Sequence, residues 1–144
     1  MYTRILVPLD ASATAEAVLP YVEALAAGFK TSVELMSVID LGAMTSHFAA
    51  DKVHSLDTII ATEEKHYASY LENVAKHFSG FPTECRIVRG TPAESILETA
   101  SQNGDTLIAM ATHGRSGATR WLLGSVAEKV LRGTNNPLFL VRAA

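Results

Sequence analysis

A glycine-rich passage in the last third of the chain carries residue types that suit phosphate binding. Residues 111–117 read Ala-Thr-His-Gly-Arg-Ser-Gly, and residues 122–126 read Leu-Leu-Gly-Ser-Val. Glycines allow tight turns and let backbone N–H groups approach an anion closely, and Arg115 can add positive charge. Gly124 and Ser125 precede a predicted helix, whose first N–H groups favour an anion. The passage therefore predicts a phosphate site.

The same passage also has an interpretation that needs no ligand. Ser125 and Glu128 have the spacing of a capping box, so Ser125 can serve only to cap a helix. Gly114 and Gly117 can be plain turn residues. The passage is neither a P-loop nor a dinucleotide fingerprint, because both glycine patterns are incomplete. Residue chemistry alone leaves both interpretations open.

Strand and helix patterns alternate along the whole chain and must position this passage. Helical spacing predicts one helix from Asp10 to Gly28 with a bend at Pro20, and a long helix over residues 55–79. Residues 40–54 show no clear period and are predicted to form a loop or a partly ordered insertion. Parallel strands need crossover helices, so the pattern predicts one α/β domain over residues 1–144, a doubly wound parallel sheet with helices on both faces. Short apolar runs predict the strands at residues 5–9, 32–39, 84–89, 106–111 and 138–141.

Ligands of such sheets bind beyond the carboxyl ends of the strands, where the strand order reverses. That edge is predicted to collect residues 8–12, 38–40 and 110–117, provided that the first and fourth strands are neighbours. Asp10 can bind a ribose hydroxyl or a divalent cation there, or it can cap the first helix.

Composition limits the partners and the compartment. The formal net charge of −3 counts against a non-specific nucleic-acid binder. The single cysteine, Cys85, cannot form an internal disulfide, and its predicted strand suggests a buried thiol. The chain begins without a long apolar stretch, so we expect a cytoplasmic protein with no membrane partner. The spacing of the histidines predicts no metal site formed by side chains alone.

Several spaced motifs resemble the universal stress protein family. Gly114, nine further residues and then Gly124-Ser125 match the family signature G-x2-G-x9-G-[S/T], in which the first glycine is Ala111 here. The resemblance covers nearly the full chain except residues 41–54. The other matching motifs are the opening Ile-Leu-Val-Pro-Leu-Asp at residues 5–10, the Gly90-x-Pro92 step, and Asn-Pro-Leu-Phe-Leu-Val at residues 136–141.

The resemblance implies a five-stranded parallel sheet in the order 3-2-1-4-5. It also implies a homodimer, which we expect to form through the last strand, and ATP binding, expected with Mg²⁺, as in one branch of the family. The implied role is a nucleotide-dependent regulatory module in stress response. No nucleophile–base pair or Gly-x-Ser-x-Gly elbow stands out in the chain, so we expect at most slow ATP hydrolysis and assign no catalytic residue.

Mapping the family motifs onto this chain implies three groups of site residues. Those beside the adenine and ribose are Pro8, Leu9, Asp10 and, through its backbone, Val38. Those beside the ribose and phosphates are Met110, Ala111 and Gly114, with Arg115 as an additional charge. Those that hold the phosphate tail are Gly124, Ser125 and Val126.

Two alanines depart from the family pattern. Ala111 replaces the first glycine of the signature, and Ala11 follows Asp10 where the family often has glycine. Alanine adds a methyl group and resists positive φ. If the family has glycine here so that the ligand can approach the backbone closely, Ala111 weakens ligand binding modestly. If the family has glycine because this residue needs a positive φ, the loop must adopt a different conformation in this chain.

Other functions remain as alternatives at this point. A protein of the same fold can have lost nucleotide binding and act only through protein contacts. An adenylyl-transferring or ATP-pyrophosphatase enzyme would carry His-x-Gly-His or Ser-Gly-Gly-x-Asp after the first strand, and residues 8–12 have neither motif. A flavodoxin-like carrier would have a first loop rich in serine and threonine, and here that loop is short and acidic.

Overall fold

The computed structural model describes residues 1–45, 53–112 and 123–143. Its five strands form one parallel sheet in the order β3-β2-β1-β4-β5, which confirms the predicted fold class and strand order. The strands are β1 (Arg4–Pro8), β2 (Ser32–Asp40), β3 (Thr83–Gly90), β4 (Thr106–Thr112) and β5 (Leu138–Arg142).

Six helices connect these strands in the described ranges. A 3-10 turn, Lys76–Phe78, follows the fourth of them. None of the described helices is long and apolar enough to cross a membrane. The helices are α1 (Ala13–Glu16), α2 (Leu19–Phe29), α3 (Leu41–Thr45), α4 (Val53–Ala75), α5 (Pro92–Ser101) and α6 (Ser125–Gly133).

The central strand β1 is buried on both of its faces. Ile5 and Val7 belong to one apolar cluster, in which α2 and α4 pack on the sheet, and Leu6 belongs to a second cluster with α5 and α6. This explains why the strand is a continuous apolar run, since a strand with one solvated face would alternate. Helices cover both faces of the sheet, as predicted.

The strand order reverses at β1. The chain runs from β1 outward through β2 to β3, then returns to β4 beside β1 and continues to β5. The crossovers on the two sides of β1 therefore leave the sheet in opposite directions, which opens a crevice at the carboxyl ends of β1 and β4. The first and fourth strands are therefore neighbours. This is the arrangement that the loops after these two strands need if they are to form one site, as the sequence predicts.

The segment after β1 differs from its prediction. The predicted single bent helix is two helices, and Pro20 lies in the first turn of α2 instead of at a bend. The first residues of a helix need no N–H for the intrahelical bonds, so proline is tolerated there. This break leaves α1 as a separate short helix between β1 and α2 in the chain, in contact with β4.

Two smaller predictions also need correction. Residues 41–45 form the short helix α3, although their sequence shows no period. Cys85 is exposed and not buried, because β3 lies at the edge of the sheet. Partial desolvation and the nearby Glu72 carboxylate raise the pKa of the Cys85 thiol, which keeps it protonated and poorly nucleophilic.

A buried carboxylate joins the strands at the amino ends, far from the crevice. Glu34 on β2 is 3% exposed and forms ion pairs with Arg4 on β1 and Arg86 on β3. The Arg4 guanidinium also donates to Thr106 Oγ1 at 3.0 Å and to the Thr99 carbonyl at 3.0 Å. This group of residues therefore ties β1, β2, β3 and β4 together at one end of the sheet.

Candidate functional site

A cavity of about 320 Å³ opens at the carboxyl ends of β1, β2 and β4. It lies at the point where the strand order reverses, which is where ligands bind in open α/β sheets. Its volume is within the range of small-molecule sites. The predicted site residues that line it are Pro8, Leu9, Asp10, Val38, Met110, Ala111, Ser125 and Val126.

Three predicted residues are not among those that line the cavity. Gly124 is buried and immediately precedes Ser125 on the cavity wall. Gly114 and Arg115 lie outside the described residues. Their predicted contacts with phosphate therefore stay predictions.

Other lining residues were not predicted from the sequence. Thr14 and Ala15 come from α1, directly after Ser12, which the sequence does place at this edge. Met36 is hidden in the middle of an apolar strand. Ile96 and Ala127 come from α5 and α6, and nothing in their local sequence separates them from ordinary core residues. Pro92 belongs to the Gly90-x-Pro92 motif but was not assigned to the site.

Asp10 forms a compact turn with the residues that follow it. Its Oδ1 accepts hydrogen bonds from the backbone N–H of Ser12, at 3.0 Å, and from the Ser12 hydroxyl. The Ser12 hydroxyl oxygen in turn accepts from the backbone N–H of Ala15, at 3.1 Å, and so caps α1. Ser12, not Asp10, is thus the helix cap. Both bonds to Asp10 end on Oδ1, which leaves Oδ2 available to a ligand.

Ala11 has the left-handed backbone conformation in which glycine is usual. Its φ is 68°, one of two positive values at non-glycine residues in the described ranges. A Cβ atom in this region clashes with neighbouring backbone atoms, at a cost of about 1–2 kcal/mol. Non-glycine residues held in this way concentrate at ligand sites, and Ala11 adjoins Asp10 and Ser12 of the cavity wall.

Replacing Ala11 with glycine is expected to raise the free energy of unfolding by about 1 kcal/mol, because the strain exceeds the extra chain entropy of glycine. Urea denaturation measures the change. The control is Ala24→Gly, at an exposed helical position of α2, which is expected to lower the free energy of unfolding by about 1 kcal/mol. Destabilisation by both substitutions would contradict the strain at Ala11.

Ala111 does not need the conformational freedom of glycine. It lies within β4 in register with Val141 of β5, and its φ is not positive. The loop therefore does not have to be rebuilt to accept alanine at this position. The consequence of the substitution is steric, since the half-buried Ala111 adds one methyl group to the cavity wall.

The amino end of α6 faces the cavity without a side-chain cap. Gly124 is the N-cap residue and Ser125 is the first helical residue, so the capping-box interpretation of Ser125 is wrong. Glu128, the other half of that motif, pairs with Arg132 on the helix surface instead, at 3.0 Å. Uncapped N–H groups at a helix start carry partial positive charge and favour an anion.

The two ends of the cavity differ in character. Methionine, valine and isoleucine side chains from β2, β4 and α5 form apolar walls, whereas the α6 end presents backbone N–H groups. Asp10 is the single charged residue among the described lining residues. Such a cavity suits a molecule with a flat apolar part, hydroxyl groups near Asp10 and an anionic tail.

This arrangement defines the class of the protein: an open α/β sheet with a ligand cavity at its switch point. The model of the universal stress protein family matches residues 1–142, and the chain belongs to that family. The universal stress protein MJ0577 of Methanocaldococcus jannaschii is 32% identical over 157 residues, covering 99% of this chain and 96% of that protein.

Solved structures agree with the fold. The structure of MJ0577 superposes with a TM-score of 0.82 at 31% identity, covering 100% of this chain and 98% of that one. UspA from Lactobacillus plantarum also reaches 0.82, at 20% identity and 98% coverage of both chains. A universal stress protein solved in complex with cAMP has a TM-score of 0.68 at 19% identity, covering 99% of this chain and 98% of that one. The two lower identities support the fold alone.

Proposed function

We propose that this protein binds ATP in the cavity, together with Mg²⁺, and acts as a nucleotide-dependent regulatory module in stress response. The observation that carries the proposal is the pairing of an apolar cavity with an uncapped helix start at one end. The adenine binds between the apolar walls formed by Met36, Val38 and Met110. The backbone of Val38 meets the edge of the base.

Asp10 binds the ribose in this proposal. Its Oδ1 is engaged by Ser12, so the carboxylate is held in one orientation, and Oδ2 can accept hydrogen bonds from ribose hydroxyls. Pro8 and Leu9 flank the sugar on the same loop. A carboxylate fixed in this way loses little side-chain freedom on binding, which favours affinity.

The phosphates extend toward the start of α6. Gly124, Ser125 and Val126 supply N–H groups there, and Gly114 and Arg115 are proposed to complete the binding of the phosphate tail. Mg²⁺ would be held mainly by the phosphate oxygens and water, as is usual for nucleotide-bound magnesium.

Family membership adds support for an adenine nucleotide as the ligand. Regulation, and not catalysis, remains the proposed role. The one described hydroxyl of the cavity wall that bonds a carboxylate, Ser12 on Asp10, also caps α1, so we assign it a structural role and expect hydrolysis of bound ATP by water to be slow. The cytoplasm is the proposed location, since the lone Cys85 forms no internal disulfide.

The direct test is to denature freshly purified protein, identify any released nucleotide, and titrate stripped protein with ATP by calorimetry in the presence of Mg²⁺. The proposal expects saturable ATP binding and weaker binding of adenosine, which lacks the anionic tail. GTP serves as the control for recognition of the base. If no adenine nucleotide is released and ATP gives no binding heat, the proposal fails, and a role through protein contacts alone takes its place.

We also propose a homodimer that forms through β5. This strand lies at the edge of the sheet, where its unpaired backbone groups can pair with a second copy. Tyr21, 50% exposed, packs on Phe139 of β5 with the ring centroids 5.9 Å apart, and Leu131, on the helix that precedes β5 in the chain, is 48% exposed. Large exposed apolar residues around a strand edge are typical of an interface.

Introducing charge at this edge is expected to give a monomer. The variant Tyr21→Glu with Leu131→Glu places carboxylates at two exposed positions and should leave the monomer folded. Light scattering after gel filtration measures the mass, which should halve relative to the wild type. Ala61→Glu on α4 is the control, because α4 packs beside β2 and β3, away from β5, and should leave the mass unchanged. Equal masses for all three proteins would contradict the proposed interface.

A further inference from the structure

A second cavity, of about 390 Å³, lies beside the first one, between β2 and the helices α3 and α4. Val38 lines both cavities, so they adjoin at the end where the adenine is proposed to bind. The proposed nucleotide makes no use of this second space. Its walls combine apolar side chains, a tyrosine ring and two carboxylates, and none of its described lining residues is a lysine, arginine or histidine.

Glu63 supplies a half-buried negative charge to this cavity. No ion pair joins it to any residue in the described ranges, whereas its neighbour Glu64 pairs with Arg89 on the protein surface. The second carboxylate, Asp40, accepts a hydrogen bond from the backbone N–H of Ala43 at 3.1 Å and is therefore partly satisfied at the start of α3. Glu63 is thus the cavity carboxylate to which the described residues supply no counter-charge.

Tyr67 lies one helical turn after Glu63 and lines the same cavity. Burial first, and then the carboxylates of Glu63 and Asp10, raise the pKa of the Tyr67 hydroxyl. An aromatic ring near a carboxylate attracts a cation through its π-electron face. The remaining walls, which include Val38, Met44 and Ile59, are apolar.

We propose that the second cavity binds a small organic amine with an apolar body. The ammonium group pairs with Glu63 and contacts the ring of Tyr67, while the apolar body packs against Val38, Met44 and Ile59. A positive charge complements the uncompensated carboxylate, and the apolar walls favour carbon over the water shell of a metal ion. A divalent metal ion would need about six oxygen ligands, which these walls do not offer.

Phenethylamine and 2-phenylethanol test the proposal, because they have nearly the same shape and differ in charge at neutral pH. Each is titrated by calorimetry into the full-length protein without nucleotide. The amine is expected to bind at least about tenfold more tightly than the alcohol, as a charge-assisted contact requires. The absence of ATP makes this result independent of the proposed nucleotide site. Equal affinities, or no binding of the amine at millimolar concentration, would overturn the inference.

Three variants test where the amine binds, and two of them are a matched pair. Glu63→Gln should remove the preference for the amine, a loss of about tenfold, while Glu64→Gln deletes the same charge one residue further along and should leave the affinity unchanged. Tyr67→Leu keeps an apolar side chain and should weaken the amine about fivefold while leaving the alcohol nearly unaffected. If Glu63→Gln and Glu64→Gln weaken the amine equally, its binding depends on surface charge, and the assigned site is wrong.

Discussion

Replacing Glu34 with alanine is expected to lower the free energy of unfolding by about 3–5 kcal/mol. The carboxylate lies between the Arg4 and Arg86 guanidinium groups, and the Arg4 side chain is itself only 14% exposed. The substitution therefore leaves a largely buried guanidinium without its counter-charge. Urea denaturation followed by circular dichroism measures the loss.

Two comparison variants separate this effect from the loss of any surface ion pair. Glu64→Ala removes the partner of Arg89 in an exposed pair and should cost less than about 1 kcal/mol. The double variant Arg4→Met with Glu34→Leu removes both members of the buried pair and should recover much of the stability, since an apolar pair carries no desolvation penalty. A cost for Glu34→Ala no greater than that for Glu64→Ala would show that the buried charges are not coupled.

Replacing Ser125 with aspartate is expected to weaken ATP binding about 100-fold, which corresponds to roughly 2.7 kcal/mol. Ser125 is exposed at the first position of α6 and lines the cavity, so the new carboxylate would repel the phosphates directly. The same carboxylate favours the positive end of the helix, so the folded state should be as stable as the wild type or more stable. Opposite effects on binding and stability distinguish this result from misfolding.

Calorimetric titration with ATP and urea denaturation measure the two effects on the same protein. Ser69→Asp, at an exposed position in the middle of α4, adds the same charge away from the cavity and should leave ATP affinity nearly unchanged. Adenosine provides a second control, because a ligand without phosphates should bind Ser125→Asp almost as well as the wild type. Unchanged ATP affinity in Ser125→Asp would mean that the start of α6 does not hold the phosphate tail.

The strands could be located from the sequence because each is a short apolar run. Ile5, Leu6 and Val7 are covered on both faces, and the run around Ile108 is equally continuous. The first helix was less predictable, because proline is compatible with either a bend or a helix start. Only the tertiary structure, in which Val18 and Val22 pack into the core, distinguishes the two. Cys85 was misjudged because an apolar-looking strand does not indicate whether it lies at the centre or the edge of a sheet.

The candidate site was predictable where backbone chemistry marks it. Asp10, Ala111 and Ser125 were identified because turn residues and small residues stand out after a strand or before a helix. Ile96 and Ala127 were missed, since a core residue that also faces a cavity has the same local pattern as one that does not. Glu34 was missed for a related reason, because its two arginine partners lie 30 and 52 residues away along the chain.

The sequence by itself determined the alternation of strands and helices and the places where small residues expose backbone N–H groups. Both depend on residues close together in the chain, through side-chain burial and backbone freedom. The tertiary structure alone decided that Ser125 is not a helix cap, that Ala11 has a positive φ, and that a second cavity adjoins the first at Val38. These features arise when distant segments pack together, because the packing, and not local preference, then sets the backbone angles and the space between helices.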